Sequence, residues 1–304
     1  FFFKQKTAYE ISTRDWSSDV CSSDLCNSIG FLGINFSSVR EDASGFTGSL
    51  AGDLISSSDP NFRPVDLEFA PDGSLYFIDW HNALIGHMQH NARDPRRDHE
   101  HGRIYRVTYP SRPLVKPAKI AGASIPELLD NLKSPEYRTR YRTRRELRAY
   151  PPAKVLPAVK AWAAKLDKSD PRYEHHLCEA MWATWAQNRP DAGLVMACLN
   201  ARSHHARAAA AHVLRYAHPK LPNGVALLRQ AANDPNGRVR LEAIVAASWL
   251  DNADGARVLL DALRHPFDKW MSPVTKLILE TTLKDDVAAL VTAEPALLAS
   301  NPMA

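Results

Sequence analysis

The segment Asp79-Trp80-His81-Asn82 places a carboxylate, an imidazole and an amide close together, a combination suited to proton transfer. A histidine between two polar neighbours can act as a general base. The same residues support a second interpretation, in which Asp79 and Asn82 hydrogen-bond the backbone at the end of a strand and hold adjacent strands together. Both interpretations stay open: Asp79, His81 and Asn82 are candidates for catalysis, and they are equally candidates for a structural corner.

A polar loop follows with side chains that metals prefer. His87 and His90 lie three positions apart, so one helical turn could present both to an ion, and Asp98 could complete the site. Arg93 and Arg96 lie in the same loop and would repel a cation. The sequence therefore predicts either a weak metal site at His87, His90 and Asp98 or an exposed loop.

Residues 138–148 contain six arginines interleaved with tyrosine, a pattern that raises the question of nucleic-acid binding. Arginine at nearly every second position surrounds a helix and does not line one face of it. We therefore predict a solvated first repeat that packs on the preceding domain, and no nucleic-acid partner.

The composition is that of a folded protein. Of the 304 residues, 45% are hydrophobic and 24% are charged, with a net charge of +4. No apolar run approaches the ~18 residues of a membrane-spanning helix. The cysteines do not form a disulfide framework or a Cys-x-x-Cys motif, which excludes a cysteine-based zinc, redox or covalent haem site; they are Cys21, Cys26, Cys178 and Cys198. We expect Cys178 and Cys198 to be isolated core residues.

Residues 26–110 carry the pattern of β-strands. Residues 65–69 alternate apolar and polar side chains, Pro71-Asp72-Gly73 predicts a turn, and residues 74–80 read as the returning strand. Residues 103–109 alternate again. Three strands on short connections make most of a four-stranded propeller blade, and residues 26–53 are predicted to belong to the preceding blade. We expect residues 26–110 to be the C-terminal part of a β-propeller, its last blade or two.

Residues 111–304 have a different composition, with 36 alanines in 194 residues against 5 in the 85 residues of 26–110. Alanine is the best helix former, so this part should be helical. Five openers recur at separations of 31 to 36 residues, each followed by an amphipathic stretch and a shorter apolar one; they are Ser134-Pro135, Asp170-Pro171, Arg202-Ser203, Asp234-Pro235 and His265-Pro266. This period predicts antiparallel helix pairs from about Ile125 to Ala299.

The fold class predicted is thus β plus α, a partial propeller followed by an α-solenoid over residues 134–304, with a linker and first helix at 111–133. The stretch from Asp234 to Ala243 closely resembles the opener of a HEAT repeat. We expect Trp162, Trp185 and Trp249 at or beside the interfaces between helices. The pairs His175-His176 and His204-His205 should open helices and face solvent.

Five segments together resemble one family; they are residues 26–34, 56–66, 79–82, 85–91 and 101–106. The family is that of the large membrane-bound dehydrogenase-like proteins of planctomycetes and verrucomicrobia. These join a glucose/sorbosone dehydrogenase-like propeller to HEAT repeats and commonly to a C-terminal c-type haem domain. The resemblance covers about residues 26–300. It implies quinone-linked oxidation of a sugar or alcohol in the periplasm, with pyrroloquinoline quinone, Ca²⁺ and c-type haem in the full-length protein.

The resemblance assigns no catalytic or cofactor residue to this chain, so we expect a fragment that is inactive alone. Its implied partners are the rest of its own propeller, a haem domain or cytochrome that accepts electrons, and a protein partner on the solenoid. A segment with Cys-x-x-Cys-His is expected beyond residue 304. The segment from Pro71 to Ile85 also resembles the NHL-type blade signature. The alternative is therefore a non-enzymatic NHL-like propeller and HEAT scaffold that binds a protein or a glycan.

Residues 1–25 resemble no targeting segment. Back-translation of residues 16–25, and of residues 1–11, gives strings that look like two widely used short-read sequencing adapters in the right order. We therefore interpret residues 1–25 as an artefactual tail and expect no packed position for it.

Overall fold

The computed structural model describes residues 23–28, 31–84, 94–250 and 252–299. Strands occupy the first part of the described chain and helices the second, which confirms the predicted order of a β region and a helical repeat region. Among the described residues, no helix is both long and apolar enough to cross a membrane.

The strands form two antiparallel sheets. Their bounds are β1 (Ser23–Ser28), β2 (Gly33–Asp42) and β3 (Gly45–Ser56) in the first sheet, and β4 (Pro64–Phe69), β5 (Leu75–Asp79) and β6 (Arg103–Val107) in the second. Each sheet pairs its strands in chain order, as in a meander. The described strands do not close into a propeller, so that architecture stays a proposal.

Strand β1 corrects the expectation that the whole of residues 1–25 is unpacked. The strand begins at Ser23, and Ser23, Asp24 and Leu25 pair with Ser38, Ser37 and Phe36 of β2. Strand β2 is long, and its backbone groups can pair with β1 wherever the chain of β1 is extended. The rest of the predicted tail, residues 1–22, lies outside the described residues.

The hairpin of β4 and β5 follows from local sequence. Gly73 adopts φ = +84°, which glycine reaches without strain, and its N–H donates to Ala70 O at 2.9 Å. Asp72 Oδ1 accepts from the Ser74 amide at 2.9 Å and closes the predicted turn. The alternation then buries Leu75 and Phe77 on one face of β5.

The core of the β region is small. Ile34, Phe62 and Phe77 form its buried hydrophobic cluster, and Tyr105 stacks on Phe77 with ring centroids 5.0 Å apart. The opposite face of the second sheet also carries apolar side chains, but these are exposed: Tyr76, Ile78 and Ile104 are 36%, 45% and 73% accessible. One face of this sheet is therefore covered and the other is not.

The helical part of the described chain extends from Ile125 to Ala299, which agrees with the predicted start near Ile125. Its helices are α1 (Ile125–Asn131), α2 (Tyr137–Leu147), α3 (Pro152–Ala164), α4 (Tyr173–Ala186), α5 (Ala192–Leu199), α6 (His204–Ala217), α7 (Gly224–Ala232), α8 (Gly237–Ala247), α9 (Ala253–Leu263), α10 (Met271–Glu280), α11 (Lys284–Ala293) and α12 (Ala296–Ala299). The first four openers lie directly before α2, α4, α6 and α8 or one residue away from them, and the fifth lies four residues before α10.

The helices pack as a solenoid. The even-numbered helices α2 to α10 contact one another in succession, and each packs against helices of its own or the neighbouring unit. One continuous core runs from Ala123 to Leu290. Trp162 and Trp185 pack against this core as expected, whereas Trp249 is 55% exposed and contacts Tyr216 at its edge. Helix pairs that contact only their neighbours are the defining feature of a repeat solenoid.

Arginine side chains join the openers. In the first and fourth units, the arginine six positions after the opener's first residue donates to both carbonyl groups of its own opener: Arg140 to Ser134 and Pro135, and Arg240 to Asp234 and Pro235. In the third unit, Arg207 lies five positions after Arg202 and donates to the carbonyl groups of Ala201 and Arg202. Polar contacts also cross to the next opener, as in the two hydrogen bonds between Arg207 and Asp234 and the bond from Arg240 to Pro266. The repeated loops are thus linked in series.

Several polar residues predicted to face solvent are buried. His175 and His176 are 4% and 3% accessible, because the first turn of α4 packs against the preceding unit. Arg140 is fully buried and donates to Glu179 at 3.0 Å, so α2 is not solvated all round. An ion pair inside a protein needs such satisfied partners to offset its desolvation.

The sequence led us to expect two isolated core cysteines, but the structure places them next to each other. Cys178 and Cys198 are both fully buried, and their Sγ atoms lie 3.9 Å apart between α4 and α5. Burial raises the pKa of the Cys178 thiol well above its usual value. Both are free thiols that pack as small hydrophobic groups.

Candidate functional site

The end of strand β5 brings together Asp79, His81 and Asn82, the three candidates from the sequence. Asp79 Oδ1 accepts from the amides of Arg63 at 2.7 Å and His81 at 2.9 Å. Asn82 Oδ1 accepts from the Leu84 amide at 3.2 Å. Both side chains therefore hold backbone at the corner, as the structural interpretation requires.

His81 lies at the centre of a charged cluster. Its Nε2 atom is 3.1 Å from Arg103 Nη2 and 3.5 Å from Asp98 Oδ2, and its Nδ1 atom is 3.9 Å from Asp79 Oδ2. An arginine can only donate, so in a hydrogen bond between these two atoms His81 Nε2 accepts from Arg103. The nitrogen that a general base would use is thus already engaged, and the catalytic role of His81 stays a prediction.

The backbone at His81 is strained. Its φ of +52° lies in the left-handed region, which costs a residue with a side chain free energy. Two contacts hold the backbone in this conformation: the hydrogen bond from the His81 amide to Asp79 and the contact of the ring with Arg103. The residue is 6% accessible. Strain of this kind is found at ligand sites and at structural corners alike, so it marks the residue without choosing between the two roles.

Asp98, predicted as a metal ligand, faces His81 and His101 in the described structure. His101 Nδ1 lies 3.0 Å from its Oδ2 atom. A hydrogen bond from the amide of Glu100, with further ones from His101, lowers the pKa of Asp98 to about 2. His87 and His90, the other two predicted ligands, lie outside the described residues. The structure therefore brings Asp98 to the catalytic candidates and leaves the proposed metal site a prediction.

Ca²⁺, one of the cofactors implied by the resemblance, does not suit the described cluster. Arg103 lies within 3.1 Å of His81 and 4.0 Å of Asp79, so its fixed positive charge would oppose a cation bound to these side chains. The sequence contains no Cys-x-x-Cys-His for covalent haem.

A second polar site joins the β region to the solenoid, and the sequence analysis missed it. The turn between β2 and β3 inserts Ser44 against the loop that precedes α10. Asp268 accepts from both the amide and the hydroxyl of Ser44 at 2.8 Å, and Ser44 is fully buried. Asp268 also accepts from the amides of Trp270 and Met271 at the start of α10. One carboxylate thus caps the helix and holds the hairpin.

Close packing accompanies these hydrogen bonds. A Cβ atom on Gly45 would lie 2.6 Å from Trp270 Cδ2, so only glycine fits between the hairpin and the indole ring. Arg238 of α8 lies over the Phe46 ring at 5.3 Å and reaches Ser44 O at 3.4 Å. We call the contact of Glu41–Phe46 with α6, α8 and the Asp268 loop the hairpin junction.

The second sheet also contacts the solenoid, through one ion pair. Glu68 of β4 binds Arg138 of α2. The first repeat therefore packs on the β region, as the sequence predicts, although through one arginine of the six. Local sequence gives no sign of the hairpin junction, because its hydrogen-bonded residues Ser44 and Asp268 lie 224 positions apart.

Comparison with known families matches two parts of the chain. Residues 27–111 match a domain of unknown function (DUF7133), and residues 191–272 match HEAT repeats. No curated protein and no solved structure matches the chain. The HEAT match covers the end of the second unit, the whole third and fourth units and the start of the fifth, and it confirms the helical repeats there.

Proposed function

We propose that this chain is a scaffold, in which a HEAT solenoid holds blade-like sheets in a fixed orientation. The hairpin junction carries this proposal. Its hydrogen bonds are buried and Gly45 is tightly fitted, so the β2–β3 hairpin has one seat on the solenoid. A buried polar contact of this kind specifies geometry, since an undocked hairpin would leave Asp268 without two of its donors.

The two sheets act in this proposal as neighbouring blades of a propeller. Their shared core of Ile34, Phe62 and Phe77 is supporting evidence, as are the apolar residues on the uncovered face of the second sheet. A blade inside a propeller lies between two others, so both of its faces must be apolar. Tyr76, Ile78 and Ile104 would then cover a further blade.

The larger protein is proposed, on the resemblance alone, to be a quinone-dependent sugar or alcohol dehydrogenase of the periplasm. Pyrroloquinoline quinone, Ca²⁺ and c-type haem would then be held by residues outside this chain, and electrons would leave to a haem domain or a cytochrome. In this proposal the described chain orients the sheets and supplies no catalytic residue. Asp79 and Asn82 bind backbone, and Arg103 engages His81.

The scaffold is tested by a pair of glycine variants in the β2–β3 hairpin. Gly45→Ala places a methyl group against Trp270, whereas Gly48→Ala meets its nearest atom, Ser38 O, at an ordinary 3.8 Å. We expect Gly45→Ala to speed amide hydrogen exchange and proteolysis in Glu41–Phe46, with Gly48→Ala unchanged from the parent. Equal exchange in both variants and the parent would show that the hairpin is not seated on the solenoid.

An activity assay tests the absence of chemistry in this chain. The chain is mixed with pyrroloquinoline quinone, Ca²⁺, a sugar or alcohol and a dye that accepts electrons. We expect no dye reduction above that of the free quinone. Turnover that His81→Asn abolishes, in a variant with an unchanged circular dichroism spectrum, would contradict the scaffold and support the catalytic interpretation of His81.

The glycan-binding alternative has one observation in its favour, a row of aromatic rings on the solenoid. Trp185 stacks on Tyr216 at 5.8 Å, and Tyr216 contacts Trp249 at 4.8 Å, so successive units contribute one ring each. Tyr216 and Trp249 are 40% and 55% exposed. Flat aromatic faces with polar edges suit sugar rings. Oligosaccharide titration followed by tryptophan fluorescence should lose its signal in Trp249→Ala and keep it in Trp80→Ala, which removes a similarly exposed ring elsewhere.

A further inference from the structure

A group of metal-binding side chains lies at the edge of the hairpin junction. Glu41 belongs to β2, and His204 and His205 form the first turn of α6. Glu41 Oε1 is 3.0 Å from His204 Nε2 and 2.8 Å from His205 Nε2. The three donor atoms all lie within 4.8 Å of one another. The sequence analysis expected both histidines to face solvent, but their side chains are 27% and 36% accessible.

The spacing of the donors is close to that around a zinc ion. Zinc binds imidazole nitrogen and carboxylate oxygen at about 2.0–2.2 Å, so tetrahedral donors stand about 3.4 Å apart. The two measured separations from Glu41 are a few tenths of an ångström shorter, and small side-chain rotations would open them. Two histidines and one glutamate form a donor set that zinc enzymes use.

One oxygen of Glu41 lies between the two imidazoles, so a carboxylate and two ring nitrogens already meet at one point. Such a shared carboxylate is a good start for a metal site.

Arg238 is the cation that could oppose metal binding. It reaches Glu242 Oε1 at 3.4 Å and Ser44 O at 3.4 Å, and it lies over the Phe46 ring. These contacts direct the guanidinium toward α8 and the turn. The carboxylate of Glu242, which is buried, offsets its charge.

We propose that Glu41, His204 and His205 bind Zn²⁺ and that the ion clips the β2–β3 hairpin to the solenoid. Three protein ligands leave the fourth position of the tetrahedron to water. Glu41 and His204 lie 163 positions apart in sequence, so the site exists only when the hairpin is docked. Zinc would therefore stabilise the docked form by mass action.

Cobalt reports the geometry of such a site, because tetrahedral Co²⁺ absorbs visible light strongly and octahedral Co²⁺ does not. The full chain, freed of metal with a chelator, is titrated with Co²⁺ and then with Zn²⁺. We expect one equivalent of tetrahedral Co²⁺ that Zn²⁺ displaces. Glu41→Gln and His205→Asn each remove a direct ligand, so they should weaken binding by at least the roughly 10- to 100-fold that loss of an outer-shell partner costs.

His265→Asn is the matched control, because His265 lies at the opener of a later unit and its Nε2 atom contacts Asn233 instead of Glu41. It should bind Co²⁺ as the parent does. Zn²⁺ should also slow amide exchange in Glu41–Phe46 and leave the β4–β5 turn unaffected. If Glu41→Gln undocks the hairpin without metal, His205→Asn decides the result, because His205 makes none of the Ser44 contacts.

Three results would overturn the proposal. One is a Co²⁺ titration that shows only the weak visible absorption of octahedral Co²⁺. Another is equal affinity in the parent and in both ligand variants, which would place the metal on other histidines. The last is tight Zn²⁺ binding that leaves exchange in Glu41–Phe46 unchanged, which would separate the metal from the hairpin.

Discussion

The sheets and the solenoid differ in how each obtains its core. The solenoid buries hydrophobic residues continuously from Ala123 to Leu290, and each unit is covered by its neighbours. The sheets bury a small cluster around Ile34, Phe62 and Phe77 and leave Ile78 and Ile104 exposed. A repeat needs only the next repeat, whereas a blade needs partners on both faces.

This contrast shows what the solenoid can supply to the β region. The hydrogen bonds of the hairpin junction and the ion pair of Arg138 with Glu68 are polar contacts between the two parts. Such contacts fix orientation more than they add stability. The β region therefore takes its position from the solenoid, while its own hydrophobic core is small.

Separating the two parts should have the largest effect. Residues 111–299 expressed alone are expected to unfold cooperatively in urea with a helical circular dichroism spectrum. Residues 23–110 alone should show no cooperative transition, because three-stranded sheets with this core are marginal. A cooperative transition in the β fragment would show that it is a domain in its own right and would remove the contrast.

A cavity in the solenoid should have the next largest effect. Leu214 of α6 is fully buried, and Leu214→Ala is expected to lower the free energy of unfolding by about 2–5 kcal/mol. Leu277→Ala removes the same atoms from a side chain that is 61% exposed, and it should cost less than about 0.5 kcal/mol. Urea unfolding followed by circular dichroism measures both. Similar losses in the two variants would contradict the continuous core.

Removing the carboxylate of the hairpin junction should have a smaller effect, confined to one place. Asp268→Ala leaves the buried amide and hydroxyl of Ser44 without their acceptor, at a cost of about 1–3 kcal/mol. Amide exchange should rise in Glu41–Phe46 and at the start of α10, and stay unchanged in α4. Uniformly faster exchange would mean that Asp268 supports the whole solenoid and not the junction.

Acid should weaken the same junction by the smallest amount. Burial raises the pKa of Asp268, but the hydrogen bonds from Ser44, Trp270 and Met271 outweigh it and leave the pKa below 3.8. A carboxyl with a lowered folded pKa stabilises the folded form above its unfolded pKa and loses that contribution as the pH falls through the folded value. Exchange in Glu41–Phe46 should therefore rise below about pH 4 in the parent. The Asp268→Ala variant should not show this acid-induced rise in exchange.

The local features of the fold were readable from the sequence. The β4–β5 turn follows from Pro71-Asp72-Gly73, and the helix pairs follow from openers such as Asp234-Pro235, because each signal lies within one repeat or hairpin. The candidates Asp79, His81 and Asn82 meet at the corner because they are neighbours in sequence.

Contacts between distant segments could not be predicted in this way. Glu41 meets His204, and Ser44 meets Asp268, only after the solenoid has stacked to its third and fifth units. The burial of His175 has the same origin, since it depends on how the preceding unit covers α4. A single sequence carries the periodicity of each unit, but the pairing of surfaces depends on the curvature of the whole stack.

The arginine links between openers also have a mechanical consequence. Tension along the solenoid would pass from loop to loop through contacts such as Arg207–Asp234 and Arg240–Pro266. The corresponding position in the fifth unit is Met271, whose side chain cannot donate a hydrogen bond. A pulled molecule should therefore come apart first beyond α10, and the units that seat His204 and Arg238 would be among the last to yield.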